Sequence, residues 1–173
     1  IPIGVTLDLT GPNAVYGEQV KQGIDIAVAE INSAGGIGGS ELSILYQDSK
    51  SDAKTAVSNA QRFISVDGCK VLIGEISSNA TQAMIPVVEQ AGAFLFAPAS
   101  SSPKLTNAGP HFARNWPSDL AEAGSAATYA KTQLGTDSAA ILYVNSDYGT
   151  GLKEKFAEVY GASGGVITIA EPY

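Results

Sequence analysis

Gly74-Glu75-Ile76-Ser77-Ser78-Asn79-Ala80-Thr81 follows the apolar run Val71-Leu72-Ile73 and leads into a stretch where Ala80, Ala83, Met84, Val87, Val88 and Ala91 share one helical face. The pattern predicts a strand, a hydroxyl-rich turn and a helix start. Backbone N–H groups at a helix start, beside short O–H donors, suit an anionic oxygen group such as a carboxylate. A second turn of this kind, Ala97-Pro98-Ala99-Ser100-Ser101-Ser102-Pro103, follows the apolar run Ala93-Phe94-Leu95-Phe96. Turns after successive parallel strands lie side by side at the carboxyl edge of a sheet, where open α/β folds bind ligands. The same hydroxyls also fit ordinary strand–helix connections, as helix caps. The residues alone leave both readings open.

Working outward, the preceding chain alternates strands and helices. Residues 3–9 read as a strand, and Thr10-Gly11-Pro12-Asn13 as a turn. A helix follows with Val20, Ile24, Val28 and Ile31 on its inner face, stopped by the glycines at 35, 36, 38 and 39. Residues 42–47 are the next strand. Asp52 then caps a helix with Ala56, Val57, Ala60, Phe63 and Ile64 inward. Pro86 is expected to kink the third helix or delay its start.

Four prolines (98, 103, 110 and 117) break the pattern beyond Phe96, with a short strand at Phe112-Ala113-Arg114. Ser118 caps a new helix, and residues 139–144, the helix carrying Leu152, Phe156, Val159 and Tyr160, and residues 166–170 resume the alternation. This calls for α/β architecture with doubly wound parallel sheets in two Rossmann-like lobes. Residues 1–117 are read as the amino-terminal lobe and 118–173 as the beginning of a second, truncated one, with the crossing near 114–118. The chain opens on a strand without initiator Met or signal peptide and stops after another, so it is read as a piece of a longer protein.

Composition narrows the function classes. The chain has 173 residues, 45% hydrophobic and 16% charged, as in a globular protein. A net charge of −7 with scattered basic residues argues against a nucleic-acid partner. One cysteine (Cys69) and one histidine (His111) leave no disulfide and no Cys- or His-based metal centre; no cofactor, metal ligand or catalytic residue is assigned. No dinucleotide fingerprint or P-loop follows any strand, and no nucleophile elbow is expected. Asp8, Asp48 and Asp147 lie near strand ends, as in some Mg²⁺ phosphotransfer folds or as turn and helix caps.

Taken together, the motifs resemble the amino-terminal half of a type I periplasmic solute-binding protein, in the leucine/isoleucine/valine-binding branch that serves ABC importers. The resemblance rests on Ile3-Gly4-Val5, Thr10-Gly11-Pro12 and Tyr16-Gly17, then Gly23 and Ala27 through Ile37. It continues with Gly74, Ser77-Ser78 and Thr81; with 97–101; with Arg114 and Pro117-Ser118-Asp119; and with 147–151. It implies a non-enzymatic, two-lobed clamp that captures a small amino acid or related carboxylate or amide for a membrane permease. It further implies a periplasmic or extracellular location, with or without a lipid anchor. Carried over, Ser78 bonds the carboxylate through N–H and hydroxyl, Ala99 offers backbone groups, and Ser101 its hydroxyl and N–H. Tyr16 and Tyr148 contact the solute from opposite lobes, Ile76 and Ser77 shape the pocket wall, and Trp116 packs on the solute or in the hinge. Two alternatives stay open: a ligand-sensing receptor or regulator domain on the same fold, and a metal-dependent α/β enzyme using Asp8 or Asp48. Exposed sheet surface also predicts self-association of the chain.

Overall fold

The computed structural model describes residues Ile1–Tyr173. Its strands are β1 (Pro2–Leu7), β2 (Ser43–Asp48), β3 (Val71–Ile73), β4 (Phe94–Ala97), β5 (Phe112–Arg114), β6 (Ser138–Tyr143) and β7 (Val166–Pro172). Its α-helices are α1 (Ala14–Ser33), α2 (Ala53–Ser65), α3 (Ser78–Ala91), α4 (Asp119–Thr132) and α5 (Asp147–Ala162), with a short 3-10 turn at Pro103–Leu105. The chain divides into two units. One comprises Ile1–Ser100 and Asn107–Trp116; the other comprises Ser101–Thr106 and Pro117–Tyr173.

In the first unit, five strands form one parallel sheet in the order β2-β1-β3-β4-β5. The inner strands are apolar because both their faces are covered. Val5, Leu7, Leu72, Leu95 and Ala97 are buried, as are Ala56, Ala60 and Phe63 of α2 and Met84 and Val88 of α3. Gly4 faces the Phe63 ring of α2, so Val5 and Leu7 point to the other face of the sheet. Gly4 is required here: a Cβ at that position would lie 2.5 Å from the Phe63 ring. The Asp52 carboxylate caps α2 by accepting the Thr55 N–H at 2.8 Å. Helix α3 starts at Ser78, so Pro86 does not delay it, and ends at Gly92 in the left-handed conformation (φ 60°).

The second unit repeats the β–α–β alternation. Strands β6 and β7 pair in parallel. The Ser118 hydroxyl caps α4 and the Ser146 hydroxyl caps α5, the latter accepting the Gly149 N–H at 3.2 Å. Tyr160 is fully buried, stacks on Phe156 at 5.4 Å between centroids, and donates its hydroxyl to the Thr136 carbonyl at 3.0 Å. Arg114 ends the last strand of the first sheet, so the irregular stretch after β4 returns to that sheet before α4 begins.

Candidate functional site

In the first sheet the chain winds one way from β1 to β2 and the other way from β1 through β3 to β5. The crevice of such a sheet opens at the carboxyl ends of β1 and β3, where the direction reverses. The turn at residues 74–78 leaves β3 at that point. It is tightly seated. Gly74 has φ 145°, and a Cβ there would stand 2.2 Å from the Thr6 carbonyl oxygen. A side chain would push β3 off β1.

The turn is held by two hydroxyls, of Thr81 and Ser100, to which the sequence pattern gave no site role. The Thr81 and Ser100 hydroxyls share a 2.6 Å hydrogen bond. Ser100 also donates toward the carbonyls of Glu75 (3.0 Å) and Ile76 (3.3 Å). Arg114 donates to the Ser100 carbonyl at 3.2 Å. The two polar turns are thus tied to one another within the first unit. The available signal was their shared hydroxyl content; which hydroxyls would meet depends on β3 and β4 being neighbours.

Ser77 occupies the N-cap of α3 and accepts the Ala80 N–H at 3.2 Å, so the cap reading is correct for it. Ser78 is the first residue of α3 and is buried. Ile76, whose carbonyl accepts the Ser100 hydroxyl, and Ala99, which precedes Ser100, are half-buried. Four assigned residues (Ile76, Ser77, Ser78 and Ala99) therefore gather at the carboxyl ends of β3 and β4. Tyr16 stands in the first turn of α1 at 60% exposure, and Trp116 closes the first unit at 51% exposure.

Ser101 and Tyr148 belong to the second unit. The buried Ser101 accepts the Asp119 N–H on its carbonyl at 3.1 Å, joining it to the start of α4. Ser102 donates toward the Asp147 carbonyl at 3.4 Å, and Lys104 pairs with the Asp147 carboxylate. These bonds fasten segment Ser101–Thr106 to the first turn of α5, where Tyr148 is 41% exposed.

The acids of the enzyme alternative have other partners. Partial burial pushes the Asp48 carboxyl up, but the Thr10 hydroxyl and the amides of Lys50, Thr10 and Leu9 bond it and hold it below its ordinary range. Asp8 is fully buried and accepts the Ser49 hydroxyl at 2.7 Å. Gly161-Ala162-Ser163-Gly164-Gly165 does fit Gly-x-Ser-x-Gly, contrary to the expectation that the pattern is missing. It leaves a helix and enters a strand, the reverse of an elbow, and the Ser163 hydroxyl bonds the Val159 carbonyl at 2.9 Å. The other polar groups at the turns are hydroxyls and amides at helix starts, which suit an oxygen anion.

Comparison with known proteins agrees with this geometry. The family described as periplasmic binding protein matches residues 1–173. The Leu/Ile/Val-binding protein of Escherichia coli is 35% identical over 153 residues, covering 88% of this chain and 41% of its own length. The branched-chain amino acid transporter substrate binding protein LivJ from Streptococcus pneumoniae, solved in complex with isoleucine, superposes with TM-score 0.91. It is 28% identical, over 100% of this chain and 49% of that one. A solute binding protein from Rhodopseudomonas palustris in complex with 4-hydroxybenzoate also superposes with TM-score 0.91, at 25% identity over 100% of this chain and 46% of that one. The chain thus spans less than half the length of each of these relatives. With two hydroxyl turns at the carboxyl edge and a family match along its whole length, the chain belongs to the periplasmic binding protein family.

Proposed function

We propose that this chain carries the first part of the solute-binding component of an ABC importer. That component captures a small amino acid or related carboxylate or amide between two lobes, without chemical conversion, and delivers it to a membrane permease. Residues 1–117 would form the first lobe and 118–173 begin the second, in a periplasmic or extracellular protein. The observation that carries the reading is the paired hydroxyl turn, in which Thr81 and Ser100 lock residues 76–78 beside Ala99 at the strand ends. Ser78 in the first turn of α3 meets a carboxylate with a hydroxyl and the positive end of the helix dipole. Ser101, the next residue after that lock, would add a second donor, and Tyr16, Tyr148 and Trp116 offer exposed aromatic surface for the solute body.

Each charge-assisted hydrogen bond contributes about 1.5–3 kcal/mol net. A few of them support affinity near the micromolar level, about −8 kcal/mol, after closure and ordering costs. Relatives with isoleucine and with 4-hydroxybenzoate share one feature of their ligands, a carboxylate, and that is the group assigned to Ser78 and Ser101. A thermal-shift screen of amino acids, amides and aromatic acids, on the chain continued to the length of its relatives, tests the reading. Carboxylates are expected to raise the melting temperature by mass action, and no shift with any of them would contradict it.

A further inference from the structure

Asp8 directly follows β1, and Glu75 follows β3 by two residues. The parallel pairing of these strands brings both acids to the sheet's switch point. Both side chains are fully buried. Glu75 Oε1 accepts the Thr6 hydroxyl at 3.0 Å, and Thr6 accepts Asn59 Nδ2 at 3.1 Å. Asp8 Oδ1 accepts the Ser49 hydroxyl at 2.7 Å, while Asp8 Oδ2 is buried with no donor other than what Glu75 can provide. Neither acid forms an ion pair. Two buried carboxylates without a cation cannot both stay ionised. A proton on Glu75 removes one charge and gives Asp8 Oδ2 its missing donor.

The backbone of Glu75 faces the other way. Its N–H points at the Thr81 hydroxyl (3.3 Å), and its carbonyl accepts the Ser100 hydroxyl (3.0 Å). One residue therefore joins the ends of β1 and β2, through its side chain, to both hydroxyl turns, through its main chain. We propose that Asp8 and Glu75 are positioning residues for the turn at 76–78, held in place by a single proton shared between their carboxyls. The effect on solute rests on the proposed solute-binding role; the effect on the turn does not.

Burial, then Asp8 as hydrogen-bond partner and as like charge, pushes the Glu75 carboxyl up to about 8, against the pull of the Ser49 and Thr6 hydroxyls. Other elements around the pair present few titrating groups. From β2 comes Asp48, held low by its amide and hydroxyl donors. From α2 comes Asn59, from α3 Thr81, and from α1 Gly17, all uncharged. Arg114, at the end of β5, bonds the Ser100 carbonyl. His111 precedes β5, at the opposite edge of the parallel sheet, and pairs with Glu89. Because the folded Glu75 holds its proton more tightly than the unfolded one, its contribution to stability is full below pH 4.5. It is lost as pH rises through about 8. Above that, the proton passes to water and two like charges face each other under the turn.

Carbon-13 carboxyl NMR titration of the 173-residue chain is the deciding experiment, joined to amide hydrogen exchange at residues 77–81 between pH 6 and 9. Expected are a Glu75 midpoint near 8 that falls by about a unit or more in Asp8→Asn, and turn protection that drops about tenfold over that pH range beyond intrinsic exchange. Glu75→Gln, which keeps a neutral donor, should make the protection independent of pH. An ordinary Glu75 midpoint, a midpoint unmoved by Asp8→Asn, or a turn equally protected at both pH values would overturn the proposal. If Glu75→Gln does not fold, the Asp8→Asn titration alone decides. L-Leucine titrated into the lengthened protein at pH 6 and 9 reads the solute role separately. Binding at neither pH, with the NMR results as expected, removes the solute reading and leaves the positioning pair standing.

Discussion

The turn after β1 and the turn after β6 meet the same packing problem with the same dipeptide. Tyr16-Gly17 opens α1 and Tyr148-Gly149 opens α5. A Cβ on Gly17 would lie 2.0 Å from the Asp8 carbonyl, and one on Gly149 would lie 2.2 Å from the Val144 carbonyl. Each glycine lets its helix sit directly on the chain leaving the strand, with a tyrosine exposed beside it. Beyond that point the two units diverge. The last four residues of β1 are buried, whereas β7 is exposed along nearly its whole length and Leu142 of β6 is 71% exposed. Similar local grammar therefore gives a closed sheet in one unit and an open-faced pair in the other. The difference lies in how many strands and helices cover each, since a parallel sheet gains its stability from burial of both faces.

Substitutions can break that contrast. The largest effect belongs to Phe63→Ala or Leu95→Ala in the closed sheet, expected to lower unfolding free energy by about 3–5 kcal/mol in urea denaturation. Next comes Ser100→Ala, which strips donors from the buried Glu75 carbonyl and the half-buried Ile76 carbonyl and should cost about 1–3 kcal/mol. Tyr160→Phe sharpens the comparison from the second unit. It removes the hydroxyl donated to the Thr136 carbonyl and should cost about 1 kcal/mol. Leu142→Ala on the open face is expected to stay within about 0.5 kcal/mol. A cost for Leu142→Ala equal to that for Leu95→Ala would show that the face is covered in solution, as self-association would cover it. Light scattering would identify that state.

The smallest effect concerns the half-buried Glu89–His111 pair. The His111 side chain, then its backbone N–H, hold the Glu89 carboxyl below its ordinary value of 4.5. The stability this provides is present above pH 4.5 and is lost as pH falls through the lowered value. Glu89→Gln should flatten only that acid limb of a melting curve taken against pH.

Much of the fold was legible because alternating apolar runs and helical stripes dictate β–α–β units whatever lies around them. Asp52 and Ser118 were readable as caps for the same reason: a cap is local. What was not legible is long-range. Ser77 and Ser78 are neighbours of one type, yet one caps the helix and the other is its first residue, and only the backbone angle at Ser77 decides this. Thr81 and Ser100 became partners through strand order. Glu75 sits in the quoted stretch as an acid like any other, and sequence gives no sign that it is fully buried against Asp8. The hydroxyl-rich segment after β4 is split between units at Ser100 and Ser101, because segment Ser101–Thr106 is fastened to α5 by contacts some 40 residues distant.

The central claim is that Ser78 and Ser101 grip a carboxylate. Isothermal calorimetry of L-leucine against the lengthened protein, its Ser78→Ala and its Ser101→Ala variants tests it most directly. Each variant is expected to lose about 1–3 kcal/mol of binding free energy while still unfolding cooperatively above the titration temperature. Affinity equal to the parent in both variants would contradict the account.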